Sequence, residues 1–299
     1  MLKTVLKWGG IVVGGIVALA LLAAGWIYVS AEMKLSQTYT IPAENVTIPT
    51  DAESLKRGEY IMATMGGCRD CHGANLAGQL FIPDPVGPIY TANITSGKGG
   101  IGGMSDADLV RALRHGVRRD GKSVIVMPAE DFYNLNDADL GALIAYLRSV
   151  PPVDNEIPER QLGPIGRLLV AQGSVIMPAS VLKHDQRPPA PERGVTAEYG
   201  KYLASVACMG CHGTGLSGGL IPGAPPDFPP SRNLTPAGNL KNWTEAQFIN
   251  TIRTGITPEN YNLPNAFMPW ENLGQLTDDD LKAIWAFLQT VPAKETGGR

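Results

Sequence analysis

All four cysteines and two of the four histidines of this chain fall into two copies of one pentapeptide pattern. Cys68-Arg69-Asp70-Cys71-His72 and Cys208-Met209-Gly210-Cys211-His212 are both C-x-x-C-H. On one helical turn this spacing lets two thiols add to the two vinyl groups of a haem while the adjacent imidazole reaches the iron, the pattern of c-type haem attachment. Other chemistries fit less well. A structural zinc would use the two C-x-x-C pairs but leave the histidine after each second cysteine unexplained. A thioredoxin-like dithiol needs such a pair within a βαβ pattern, which is missing. Two covalent haem c groups are therefore expected, one on Cys68 and Cys71 and one on Cys208 and Cys211. His72 and His212 are the iron ligands that follow from this.

A haem iron held by one histidine has a sixth position to fill, and a ligand serving both sites should recur in both halves of the chain. Met127-Pro128 and Met268-Pro269 do recur, 59 and 60 residues after the first cysteine of their motifs. A thioether ligand raises the potential and closes the iron to small molecules, as suits electron transfer. Met104 aligns with Trp243 and cannot serve both halves, and Met177-Pro178 lies between them. His115 aligns with Thr254 among basic neighbours and reads as a surface histidine; His184 sits in a polar stretch and reads as solvated. Arg114 and Arg253 occupy matching positions, either contacting haem propionates or closing solvated helix ends.

These residues are carried by an internal repeat of about 140 residues. Gly73, Leu76, Gly78 and Leu80 match Gly213, Leu216, Gly218 and Leu220, and Asn93-Ile94-Thr95 matches Asn233-Leu234-Thr235. Helix starts follow at Ser105-Asp106-Ala107-Asp108 and Thr244-Glu245-Ala246-Gln247, the second a capping box and the first of the same layout. Each helix runs to a glycine stop, Gly116 or Gly255. The last matched stretch pairs Leu135–Pro151 with Leu276–Pro292, where Asn136 and Thr277 are N-cap candidates with acids in the first turn. Leu140, Leu143, Ile144 and Leu147 lie at helical spacing, as do Leu281, Ile284, Trp285 and Leu288. Tyr146 and Phe287 flank those stripes. Each repeat thus reads helix, haem motif, long loop, helix, loop, helix, with no alternating strand pattern. Each unit is small for its own apolar core, and the haem supplies much of it.

The run Asn93-Ile94-Thr95, Asp106-Ala107-Asp108-Leu109, Arg114-His115-Gly116-Val117, Met127-Pro128 and Leu147-Arg148-Ser149-Val150-Pro151-Pro152 resembles the class I c-type cytochromes. It is most similar to tandem two-haem forms and to the cytochrome c subunits of membrane-bound alcohol, gluconate and related dehydrogenases. The resemblance covers about 240 residues. It implies an all-α fold of two cytochrome c-like haem domains behind an N-terminal transmembrane helix.

Lys3 and Lys7 precede 22 uncharged, mostly apolar residues, Trp8 to Val29. That is long enough to cross a hydrocarbon layer of roughly 30 Å as a helix. A cleaved signal peptide ending near Val29-Ser30-Ala31 is the alternative, but its apolar region usually spans only about 7–15 residues. The lysine bias places the N-terminus in the cytoplasm and the haem domains outside it, as a single-pass cell-membrane protein. The expected organisation is an anchor at 1–31, a polar tether at 32–51, cytochrome c domain 1 at 52–152, a Pro-rich linker at 153–194 and cytochrome c domain 2 at 195–299. Within the linker, Ile165 to Leu182 is mainly apolar, suited to packing on the haem domains, across their interface or on a partner.

Hydrophobic residues at 44% support packed cores, and a net charge of −3 argues against a nucleic-acid partner. Residues 54–150 carry 10 basic and 10 acidic side chains, whereas 196–292 carry 5 and 8. Arg111, Arg114, Arg118, Arg119 and Lys122 cluster in the first domain; either they steer a partner or they form a solvated helix face. The expected function is a membrane-anchored dihaem electron carrier, not an enzyme. It would move electrons from a quinol- or substrate-oxidising complex to an acceptor such as a terminal oxidase or a soluble cytochrome. The alternatives are the electron-accepting subunit of a membrane-bound dehydrogenase and, in another class, a dihaem peroxidase. A peroxidase would need one iron with a labile or absent sixth ligand.

Overall fold

The computed structural model describes residues 2–42, 44–186, 189–224 and 227–298. It opens with α1 (Leu2–Ser36), a 35-residue helix whose apolar side chains are exposed along most of its length, Ala31 being its buried residue. The first globular unit then runs through α2 (Ala52–Thr64), the motif turn α3 (Cys68–His72), a small antiparallel hairpin of β1 (Leu80–Ile82) and β2 (Ile89–Tyr90), α4 (Asp106–His115), α5 (Ala129–Phe132) and α6 (Asp137–Ser149). Two linker helices follow, α7 (Pro164–Ala171) and α8 (Pro178–Val181). The second unit repeats the plan with α9 (Ala197–Ala207), α10 (Met209–His212), α11 (Glu245–Thr254), α12 (Trp270–Leu273) and α13 (Asp278–Leu288). The chain is mostly helical, as the pattern predicts. Strands of three and two residues are too short to show alternation in sequence.

Local chemistry accounts for the helix ends. The Ser105 hydroxyl accepts from the Asp108 amide while the Asp108 carboxylate takes the Ser105 amide, and Thr244 and Gln247 form the same reciprocal box. Asn136 and Thr277 cap α6 and α13 by accepting from Asp139 and Asp280 amides. Gly116 and Gly255 end α4 and α11 in the left-handed region that a side chain disfavours.

In each unit the first and last helices cross at a glycine. A Cβ on Gly58 would lie 2.0 Å from the Ala142 carbonyl oxygen, and one on Gly200 would lie 1.8 Å from that of Ala283. The backbones touch there, so α2 packs on α6 and α9 on α13 only while both positions lack a side chain. Gly58→Ala and Gly200→Ala are each expected to push their helix pair apart at a cost above the roughly 1–3 kcal/mol of ordinary overpacking. Each should lower the melting temperature of the protein.

Ile61, Met62, Leu140, Leu143, Ile144 and Leu147 are buried in the first unit, and Leu203, Leu281, Ile284 and Leu288 in the second, within one continuous apolar cluster. Phe287 is buried while Trp285 is half-buried at its edge. Of residues 32–51, read as a polar tether, the first five extend α1 and the described residues from 38 onward lie on the first unit. α1 continues to Ser36, the Tyr39 amide donates to Gly121 O at 2.8 Å, and Ile41 is buried with Val117 and Ala179. The partners of this segment lie some 80 residues away, beyond any local pattern. The linker is likewise anchored: Asn93 Nδ2 donates to Val153 O at 2.8 Å, and the equivalent Asn233 Nδ2 donates to Lys294 O at 2.8 Å. The Asn-x-Thr repeat therefore pins the chain leaving the last helix of each unit.

Candidate haem-binding sites

The same device aims both motif histidines. His72 Nδ1 lies 2.7 Å from Ala92 O, and His212 Nδ1 lies 2.7 Å from Arg232 O. A carbonyl only accepts, so Nδ1 carries the proton and the ring's lone pair resides on Nε2, the atom an iron needs. Burial lowers the His72 pKa, partly offset by the Ala92 bond, which keeps that imidazole neutral. The motif turns are held alike: Thr91 Oγ1 donates to Cys71 O and Ser231 Oγ to Cys211 O, each at 2.8 Å. Gly78 and Gly218 amides close onto the carbonyls of His72 and His212 at 2.8 and 2.9 Å. Leu76 and Leu216 both take the left-handed conformation that lets the chain turn back beneath the motif.

The cysteines are not joined in disulfides. Burial pushes the thiols of Cys68 and Cys208 up to about 12. Among the described residues no group of three or more His, Cys, Asp and Glu side chains is placed to hold a metal ion. Each motif thus offers two unbridged thiols and one imidazole with a directed lone pair, a donor set that fits the covalent attachment of a haem c.

The two Met-Pro pairs adopt one conformation. Pro128 (φ −79°, ψ 65°) and Pro269 (φ −75°, ψ 61°) are the centres of inverse γ-turns. Ala129 N–H donates to Met127 O at 2.9 Å, and Trp270 N–H to Met268 O at 2.6 Å. Both thioethers are half-buried against the cluster that includes Cys68 and Cys208. The loops before them match as well: Val124 N–H to Gly116 O and Leu263 N–H to Gly255 O are both 2.7 Å. Met177 belongs to another cluster, with Ala31, Val170 and Ala171. Met104 packs at the edge of the main core.

The matched arginines have other partners than a propionate. Arg114 is fully buried, with Nη1 at 2.7 Å from Glu44 and 2.8 Å from Asp137, and Nη2 at 2.9 Å from Leu135 O. Its Nε alone has no partner. Arg253 donates to Gly274 O and, at 2.6 Å, to Asp278. In both units this arginine clamps the end of one helix to the start of the last, and Arg114, being fully buried, is not at a solvated helix end. Arg111 pairs with Asp108, Arg114 with Glu44 and Arg118 with Asp120, so three of the five basic side chains of the first-domain cluster have acidic partners.

His115 is not on the surface. It is completely buried, with Nε2 on Glu44 and Nδ1 2.9 Å from Nδ1 of His184. His184 Nε2 in turn lies 3.0 Å from Ala179 O, so this histidine too is engaged. Burial opposes the charge of Glu44, yet hydrogen bonds to Arg114 and His115 hold its carboxyl below the usual range. Glu44 comes from the segment before the first domain, and no spacing in the sequence links it to α4.

The units dock through a reciprocal exchange that sequence alone did not signal. Tyr202 Oη of α9 donates to Asp139 Oδ2 of α6 at 2.6 Å, and the equivalent Tyr60 of α2 donates to Asp280 of α13. Arg57 forks onto Asp139 at 2.8 and 2.7 Å and also reaches Tyr199 Oη at 3.3 Å. Each Met-Pro loop helix faces the other unit's motif: Asn272 Nδ2 lies 2.5 Å from Asp70 Oδ2, and a Cβ on Gly210 would meet Asp131 Oδ2 at 2.5 Å. Gly210 is thus the motif residue that makes room for Asp131. Burial, reinforced by Glu130, raises the Asp131 carboxyl to about 7.

Duplicated attachment turns, oriented histidines and matched Met-Pro loops on an all-α scaffold define a tandem c-type cytochrome. Residues 197–292 match the family described as "Cytochrome c", and residues 53–147 match that described as "Cytochrome C oxidase, cbb3-type, subunit III". A "Diheme cytochrome c-type" of Cereibacter sphaeroides is 30% identical over 269 residues, covering 80% of this chain and 86% of that protein. The chain belongs to the c-type cytochromes, with two cytochrome c domains in tandem. It is 31% identical to a nicotinate dehydrogenase subunit of Pseudomonas putida over 80% of this chain and 21% of that protein. It is 30% identical to "Fructose dehydrogenase cytochrome subunit" of Gluconobacter japonicus over 86% of this chain and 57% of that one. The chain spans only about a fifth and just over half of the length of these two relatives.

Proposed function

We propose that this chain is the membrane-anchored, electron-accepting dihaem subunit of a membrane-bound dehydrogenase, delivering electrons onward to a downstream acceptor. The observation that supports electron transfer at both sites is that each unit combines a Met-Pro γ-turn packed on the core with a motif histidine whose Nδ1 is already committed. The dehydrogenase donor is favoured by relatives named as dehydrogenase subunits, more than the general respiratory donor with a terminal oxidase acceptor expected from sequence.

In this reading Cys68, Cys71, Cys208 and Cys211 bind two haems covalently, with His72 and Met127 on one iron and His212 and Met268 on the other. A bound haem c supplies a one-electron Fe(II)/Fe(III) couple. The residues of the chain fix the imidazole tautomer, hold the thioethers on rigid proline turns and exclude water with the shared core. The α1 helix crosses the membrane with its N-terminus in the cytoplasm. Retention is supported by Ala31, which packs on Val170 and Ala171 of α7, a contact that cleavage after residue 31 would remove.

Two haems per chain are expected in a pyridine haemochrome assay, and one after Cys208→Ala with Cys211→Ala; two remaining in that variant would refute the attachment sites. The function is tested by purification from native membranes in mild detergent. A dehydrogenase at one copy per cytochrome, whose substrate reduces the haems, is expected. Recovery of the cytochrome alone, unreduced by any co-purifying activity, would overturn the dehydrogenase reading.

A further inference from the structure

Linker helix α7 does not lie on the haem core; it lies along the membrane-side helix. Val170 and Ala171 are buried with Ala31, and Lys34 Nζ donates to the carbonyls of Val170 and Ala171 at 3.1 and 2.9 Å. Arg167 pairs with Glu32 at 3.0 Å and stacks over the Tyr28 ring at 4.2 Å. Because 167 meets 28 and 32 while 170–171 meet 31 and 34, the two helices run in the same direction. The first turn of α7 therefore points towards the apolar part of α1.

The other side of α7 is wedged against the first haem domain. Gly163 N–H donates to Val86 O at 3.0 Å, and a Cβ on Gly166 would lie 2.3 Å from that same oxygen. What remains outward is apolar: Ile165 is 46% and Leu168 39% exposed, one turn apart. Tyr28 is at the end of the uncharged stretch of α1, the level of a membrane interface. At about 1.5 Å per residue, Ile165 sits roughly 3 Å deeper than Arg167, on the hydrocarbon side, while Leu168 lies within about 1.5 Å of the Arg167 level, at the interface itself. On the water side, the turn Arg118–Lys122 is bridged to Thr38, two residues past the end of α1, and exposes Arg119. That height, more than about 10 Å above Val29, is just outside the headgroup layer and within roughly a Debye length of its charge.

We propose that α7 is a membrane-interface helix: Ile165 and Leu168 enter the lipid surface, Arg167 stays at its boundary, and the basic 118–122 turn faces the headgroups. The occupant of the exposed apolar face is the bilayer in which α1 sits, because that face continues the lipid-facing surface of α1. The consequence is that the first haem domain is braced in one orientation against the membrane, not swung on a flexible tether. A donor must then meet it at the membrane surface. This inference rests on α1 being a membrane span.

The test is photolabelling of the full haem-loaded chain in liposomes of phosphatidylcholine and phosphatidylglycerol that carry a carbene precursor on an acyl chain, with adducts mapped by mass spectrometry. Adducts are expected within residues 8–29 and on Ile165 and Leu168. The yield at Leu168 should be about tenfold or more above that at Leu220, which is more exposed but lies in the second domain. Leu168→Glu should retain the α1 adducts and lose those on α7. Adducts on α1 with none on α7 would overturn the proposal and leave the anchor intact. No adducts on α1 would overturn the anchor, and the proposal with it.

Discussion

Met127→Ala and Met268→Ala are each expected to abolish the far-red thioether-to-iron charge-transfer band of one haem and leave that of the other. The reason is positional. Each methionine is fixed by its following proline in an inverse γ-turn, half-buried against the core that holds the attachment turns, and no other methionine occupies equivalent places in both units. Losing the thioether should lower that haem's potential by on the order of 0.1 V or more, a fraction of the roughly 0.8 V that axial ligation spans. Redox titration followed at the haem absorption bands reads both effects. Met177→Ala is the control, since Met177 packs with Ala31 and Val170 and should change neither band nor potential. An unaltered spectrum in Met127→Ala or Met268→Ala would remove that residue as an axial ligand.

Asp139→Ala is expected to produce the largest loss of stability outside the haem sites. Its carboxylate is 1% exposed and receives the forked Arg57, Tyr202 Oη at 2.6 Å and Arg193 at 3.1 Å, so it joins the two haem domains and the linker at one point. Removing it leaves the Arg57 charge buried without its partner, which typically costs about 3–5 kcal/mol. For a chain of this size the melting temperature should fall by roughly 10 °C. Burial opposes the charge of Asp139, but the hydrogen bonds and field of Arg57 outweigh it and hold the pKa below the usual carboxylate range. The stabilisation is therefore complete above about pH 4 and is lost as pH falls through the lower folded value. Acid melts should show wild-type and Asp139→Ala stabilities converging as pH drops. A variant that melts with wild type at pH 7 would show that the interface does not depend on this cluster.

The two centres differ in how much of them could be read from sequence. The C-x-x-C-H turns, the Met-Pro pairs and the capping residues Ser105, Asn136, Thr244 and Thr277 are visible because their chemistry acts over a few residues. The internal repeat adds the equivalence of distant positions. It aligns Asp139 with Asp280, but equivalence does not say that each aspartate accepts from a tyrosine of the other unit's first helix, Tyr202 or Tyr60. His115 and Arg114 were misplaced for a related reason. Their burial depends on Glu44, about 70 residues away in a segment that has no counterpart in the second unit.

The sequence by itself determined the haem chemistry, the duplication, the helix ends and an apolar stretch long enough for a membrane. These depend on spacing along one turn, on periodicity, or on length. Only the tertiary structure decided that the units share one core, that Gly210 yields space to Asp131, and that α7 is wedged between the first domain and α1. Those features depend on which surfaces of non-neighbouring elements meet. Side-chain shape and buried-charge neutralisation select such meetings, and neither leaves a periodic trace in the chain.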